Sequence, residues 1–166
     1  MVAKGGAQLL SDEAVATVRT TLMPLATLIT PNIPEAEVLT GRTIQSPSDI
    51  MAAADRLHSF GTKNILIKGG HGNAHMVTDY VRLENGEHFW LQTTRFDTPR
   101  THGTGDTISA AITAQLGLGV TLKTAIMHAK AYVDATIRDG IAVGHGHGPL
   151  NRSEEHTSEL QSRLHL

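Results

Sequence analysis

The sequence predicts an α/β fold, and three observations carry that expectation. Apolar residues recur at helical spacing in residues 11–23 and 122–138, the short β-leaning runs LATLIT (25–30) and KNILIKGG (63–70) stop at proline or glycine, and the turn signal Glu84-Asn85-Gly86-Glu87 separates two alternating segments. Helices and strands in this order belong to an α/β arrangement, whose open sheets bind ligands beyond the carboxyl ends of their strands.

In SDEAVATVRTTLM, a Ser or Asp N-cap followed by Glu precedes Ala14, Val15, Val18 and Leu22, which predicts a helix over 11–23. LATLIT predicts a buried strand, and PNIP stops it, so a constrained loop lies at that strand's carboxyl end. A short helix is expected from Pro34 to Leu39 and a longer one from Ser46 to Phe60, with proline in its first turn and Gly61 just past its end. KNILIKGG reads as a strand entering a glycine turn. HMVTDYVRLENGEHFWLQTTRFD predicts antiparallel strands, at a sheet edge or as a small flap. Thr107–Leu116 and Leu122–Arg138 predict two helices, the second with apolar Ala125, Ile126, Ala129, Val133 and Ile137 and stopped by Gly140.

Charge and composition exclude several classes of function. With 14 basic and 16 acidic residues there is no polycationic face for nucleic acid or an anionic membrane, so small-molecule chemistry is the expectation. No run approaches the length of a membrane helix, and MVAKGGAQLL lacks the regions of a signal peptide. The absence of cysteine rules out disulfides and thiolate metal sites and is compatible with a reducing cytosol, so the chain is read as cytoplasmic. His145 and His147 flank Gly146 without the helical spacing or third ligand a metal site needs.

Three strand or helix boundaries carry candidate chemistry. In HGTGDT, Gly103 and Gly105 allow close backbone approach to a ligand, and the following helix aims N–H groups and a positive dipole end at it, which makes an anion site. The spacing is neither that of a P-loop nor of a dinucleotide fingerprint. Asp106 inside that helix start is either a helix cap or a base for a nucleophilic hydroxyl. Asn32 and Glu35 in TPNIPEAE have the spacing of a helix cap and also suit hydrated magnesium or phosphate oxygens held through water. Lys68 in IKGG is a point charge suited to phosphate, or a solvated loop lysine.

In register, VAKGGAQLL, LITPNIPEAEVLTG, ILIKGGHG, THGTGDTISAAI and VGHGHGPLN resemble the hydroxymethylpyrimidine and phosphomethylpyrimidine kinases of thiamine biosynthesis, in the ribokinase-like superfamily. The resemblance covers residues 1–151 and implies the C-terminal part of a three-layer α/β/α fold with a central, mostly parallel sheet. It implies ATP with Mg2+ and two successive phosphorylations of a small pyrimidine alcohol. By motif, Gly103, Thr104 and Gly105 would form the anion hole, Asp106 would be the catalytic base, Asn32 and Glu35 the magnesium and phosphate motif, and Lys68, Gly69 and Gly70 part of the nucleotide side.

Aspartate at 106 departs from the cysteine usual in the thiamine-pathway kinases and matches sugar kinases and many pyridoxal kinases, so pyridoxal or a related alcohol is the alternative acceptor. A non-catalytic nucleotide-binding fragment is the alternative from another class. The resemblance also aligns Met1 with an internal D-P-V-M segment, which implies that upstream strands and most pyrimidine-holding residues lie outside this chain. On that basis the 166-residue chain alone is expected to be poorly stable and inactive, and the full-length protein is expected to be a homodimer. The polar residues 152–166 resemble translated sequencing-adapter read-through and are read as a non-native tail.

Overall fold

The computed structural model describes residues 9–70, 75–96, 98, 103–140 and 149–152. The expectations for His145 and His147 and for residues 153–166 fall outside these. The chain divides into two compact units, Met1–Arg95 and Phe96–Leu166.

The first unit opens with α1 (Asp12–Thr17), capped by the Ser11 side chain, which accepts the Ala14 N–H at 3.2 Å. The single helix expected over 11–23 does not run through. The chain widens into a π turn at Val18–Leu22 and tightens into a 3-10 turn at Met23–Leu25. The cause is local: the Thr17 and Thr20 hydroxyls donate to the Glu13 and Ala16 carbonyls at 3.0 and 2.9 Å, competing with the backbone ladder, and Pro24 has no N–H to give.

β1 is Leu28–Ile29 and is half-buried, shorter and more open than the buried strand LATLIT predicts. The Asn64 side chain already donates to the Thr27 carbonyl at 2.8 Å, and Pro31 cannot extend the ladder as a donor. α2 (Ile33–Thr40) starts at the Asn32 cap and stops at Gly41, which takes the left-handed conformation at φ 68. α3 (Pro47–Ser59) starts at a capping box. Ser46 accepts from the Asp49 N–H, and the Asp49 carboxylate accepts the Ser46 N–H at 2.9 Å and its hydroxyl at 2.7 Å.

β2 (Asn64–Gly70), β3 (Met76–Arg82) and β4 (His88–Thr94) complete a sheet of order β1-β2-β3-β4. The expectation of a mostly parallel sheet holds for one described pair of three: β1–β2 is parallel, whereas β2–β3 and β3–β4 are antiparallel. Parallel neighbours need a crossover of a dozen or more residues, and the connections after β2 and β3 are far shorter. The second is the hairpin expected at Glu84–Glu87, closed by the Leu83 N–H on the Glu87 carbonyl at 2.8 Å with Gly86 at φ 86.

Alternation divides the central strands between two faces. Ile65, Ile67 and Tyr80 join the cluster that includes Ala36, Ile50 and Leu57 of the helices, while Leu66 and Val81 are fully buried on the opposite face. In the second unit, α4 (Thr104–Gly117) and α5 (Leu122–Arg138) pack together, and α5 has the bounds its periodicity predicts. Asn151 is tied to the end of α5, its side chain donating to the Asp139 carbonyl at 3.0 Å and its N–H to the Thr136 carbonyl at 3.2 Å.

Two substitutions at the α3 cap separate its parts. Ser46→Ala is expected to lower stability by about 1 kcal/mol. Hydrogen bonds from Ser46 and Gln45 hold the Asp49 carboxyl below its usual 3.8, so its contribution is present above that pH and is lost as pH falls below it. Urea titrations of Asp49→Asn should therefore show a deficit at pH 7 that closes below about 3.8; a constant deficit down to low pH would contradict this role.

Candidate active site

The first unit brings together three of the residues singled out from the sequence. Beyond β1 the chain stays beside β2: the Lys68 N–H donates to the Pro31 carbonyl at 2.8 Å, and Asn32 and Lys68 form an isolated parallel bridge. The Lys68 ammonium donates to the Thr30 carbonyl, so the lysine is fixed by its main chain and its side chain to the same loop. Asn32 and Glu35 form the capping box of α2. The Asn32 Oδ1 accepts the Glu35 N–H at 2.9 Å, and Glu35 Oε2 accepts the Asn32 N–H at 3.0 Å. This holds a half-buried carboxylate over the start of α2, beside the strand end that carries Lys68.

Gly69 and Gly70 end β2 in a bulge. Pairing runs from Ile67 with Tyr80 directly to Gly70 with Thr78, so Lys68 and Gly69 together oppose the single residue Asp79. Gly69 sits at φ 70, and the Asp79 Oδ1 accepts its N–H at 2.6 Å. Asp79 was not among the residues the sequence singled out. The signal was present as an aspartate inside the strand-forming run MVTDYV, a residue type that strands disfavour.

In the second unit α4 begins at Thr104, three residues before the start expected at Thr107. Gly103 is its N-cap at φ 82, and no side chain caps it. The helix could start early because a glycine in the left-handed conformation turns the chain directly into the first turn. Thr104, Gly105 and Asp106 are thus the first three helical residues, and Asp106 is not the cap. The Thr107 N–H and hydroxyl both donate to the Gly103 carbonyl, at 2.9 and 2.8 Å. Because the peptide unit is planar, this fixes the Thr104 N–H in the opposite direction, out of the helix start. The Ser109 hydroxyl does the same for the Gly105 carbonyl at 3.1 Å. Asp106 itself is exposed.

Oriented amides with an exposed carboxylate among them, on one unit, and a strand-end cation with a half-buried carboxylate at the next helix start, on the other, are parts suited to handling phosphate. The family model described as phosphomethylpyrimidine kinase matches residues 1–151. The chain belongs to that family. It is 49% identical over 154 residues to the hydroxymethylpyrimidine/phosphomethylpyrimidine kinase of Haemophilus influenzae, covering 91% of this chain and 57% of the relative. It is 44% identical over 153 residues to the kinase of the same name from Bacillus subtilis, covering 91% and 56%. The chain spans little more than half the length of these curated relatives.

Solved structures similar to this phosphomethylpyrimidine kinase family member include the ADP complex of Bacillus subtilis pyridoxal kinase, at 35% identity and TM-score 0.80 over 90% of this chain and 57% of that one. The Staphylococcus aureus pyridoxal kinase in complex with AMP-PCP gives 32% and 0.82 over 91% and 55%. The fold is the ribokinase-like α/β fold anticipated from the motifs. Among the described residues no helix is long and apolar enough to cross a membrane.

Gly103→Ala is expected to cost about 1–2 kcal/mol, because a Cβ there meets nothing within 4 Å and the penalty is purely that of the left-handed backbone. Gly103→Asn should lose less, since asparagine visits that region more readily. Denaturant midpoints of the two variants check the ranking.

Proposed function

We propose that the protein containing this chain is an ATP-dependent kinase that phosphorylates 4-amino-5-hydroxymethyl-2-methylpyrimidine and then its monophosphate, in the formation of thiamine diphosphate. The observation that carries the reading is the uncapped start of α4, with its oriented amides and Asp106 in the first turn, in a chain of the phosphomethylpyrimidine kinase family.

In the first step Asp106 takes the proton of the hydroxymethyl group, the alcohol oxygen bonds to the γ-phosphorus, and the bond from that phosphorus to the bridging oxygen of ADP breaks. The N–H groups of the Gly103, Thr104 and Gly105 segment stabilise charge on the equatorial oxygens, as pre-oriented dipoles that need no rearrangement during transfer. In the second step the nucleophile is a phosphate oxygen of the monophosphate, already ionised, and the demand on Asp106 as a base falls. Lys68, with Gly69 and Gly70, takes the nucleotide phosphates as a compact charge on a fixed strand end.

Mg2+ suits this arrangement. It keeps several waters and is held by one or two carboxylates plus substrate phosphates, and the single carboxylate of Glu35 beside Asn32 offers a donor set of that kind. When bound, the ion neutralises charge on the phosphates. The near balance of 14 basic and 16 acidic residues supports small-molecule substrates without a nucleic-acid partner, and we place the activity in the cytoplasm with the full-length protein as a homodimer.

A second acceptor, pyridoxal, is favoured by one observation: the similar solved structures at 31–35% identity are pyridoxal kinases. Steady-state transfer from MgATP to hydroxymethylpyrimidine and to pyridoxal, measured side by side on the full reading frame that contains this chain, separates the two. Equal or faster turnover of pyridoxal would sink the pyrimidine assignment. Asp106→Asn should lower kcat for the alcohol roughly 100- to 10,000-fold with little change in ATP affinity. An equal loss of ATP binding and turnover would instead make residue 106 part of a nucleotide-binding module without a base.

A further inference from the structure

The geometry points to Asp79 as a positioning residue for Lys68, acting through the bulge at Lys68 and Gly69; this rests on the reading of Lys68 as a phosphate-binding cation. The bulge is what sets the direction of Lys68. An extra residue in one strand breaks the alternation of side chains, and bulges next to functional sites re-aim a side chain in this way. Here the extra residue is bought with a glycine at φ 70, where the surrounding space is open and only the backbone conformation excludes other residues.

A bulge also leaves an amide without its ladder partner. The Asp79 Oδ1 takes that amide, the Gly69 N–H, at 2.6 Å, a short bond of the charge-assisted kind. Lys68 is thereby held from both sides along the chain: its own N–H is on the Pro31 carbonyl, and the next amide is on Asp79. Neither peptide flanking the Lys68 main chain is then free to rotate, and the stem of the lysine leaves the sheet in one fixed direction.

Strand stability alone would not select this residue. Asp79 is 2% exposed, in the interior of β3, where a β-branched or aromatic residue pairs better and a carboxylate is costly to bury without a donor. A donor it does have is the bulge amide. Asp79 also lies directly across the ladder from Lys68 and Gly69. Its action is therefore on the nucleotide side and predicts no direct role toward the acceptor alcohol.

The test uses Asp79→Ala, Asp79→Asn, Lys68→Ala and the Asp79→Asn/Lys68→Ala double variant, in the full reading frame. It reads MgATP affinity by calorimetry, KM for ATP and for the alcohol separately, and exchange of the Gly69 amide by NMR. Asp79→Ala should weaken MgATP roughly tenfold or more, the scale of a lost hydrogen bond to a charged group, with KM for the alcohol unchanged and Gly69 exchange accelerated. Asp79→Asn keeps an acceptor oxygen but not its charge, so it should weaken MgATP less than Asp79→Ala does while still measurably accelerating Gly69 exchange. In the Lys68→Ala background Asp79→Asn should have no further effect on MgATP, since residues acting as one unit are not additive. If Asp79→Ala does not fold, Asp79→Asn decides: unaltered Gly69 exchange and MgATP affinity would overturn the proposal, as would full additivity with Lys68→Ala. Weakened binding in Lys68→Ala with none in either Asp79 variant refutes the positioning role alone. Absence of MgATP binding in the unsubstituted protein refutes the nucleotide reading of Lys68 and the proposal with it.

Discussion

The register between the 27–32 segment and β2 is the constraint on which the first unit's candidate chemistry depends. Formal strand pairing there covers only Leu28 with Asn64 and Ile29 with Ile65. So short a ladder is pinned by bonds beyond its ends: Asn64 reaches the Thr27 carbonyl on one side, and Lys68 binds the Pro31 and Thr30 carbonyls on the other. A slip of one residue would turn every β2 side chain to the opposite face, burying the lysine's neighbours wrongly and separating Lys68 from Asn32. The apolar alternation of Ile65, Leu66 and Ile67, all fully buried, opposes that slip from both faces of the sheet at once. Lys68 is therefore held in place by the packing of the three residues before it.

How much of this is legible in the sequence depends on the distance over which each signal acts. Caps are local, and Ser11, Asn32, Ser46 and Thr121 all accept bonds from residues three positions on, as their types announce. The α5 bounds follow from uninterrupted periodicity. The π turn at Val18–Leu22 escapes because it arises from threonine hydroxyls competing with the helix, which spacing of apolar residues cannot register. The start of α4 escapes because two glycines near a helix start look like loop, although one of them is the N-cap and the other already lies inside the first turn. For the candidate site, the strand-end residues Asn32, Glu35 and Lys68 are legible from their motifs, and their grouping needs the register of β2. Asp79 is not legible as a partner, because the amide it serves is ten residues away and belongs to a bulge that only pairing creates.

Two aspartates stand in opposite environments. Asp106 is exposed in the first turn of α4, where solvent can reach it. Asp79 is buried in a strand and already committed to a main-chain donor. A carboxylate that must exchange a proton with an alcohol needs access and a geometry that is completed by the substrate. One that must hold a backbone shape needs the reverse: a fixed donor and no solvent to compete for it.

Under the roles proposed for them, substitutions at the two positions should divide along the reaction. Losing a base leaves the folded strand end and its cation untouched, so ground-state binding of nucleotide persists while transfer slows. Losing the support of the bulge disorders the direction of a bound charge, and a charge that is merely nearby is worth less than one already aimed, because its reorientation must be completed on every encounter. At the strand end, positioning by a main-chain bond also satisfies an amide that the bulge would otherwise leave unpaired.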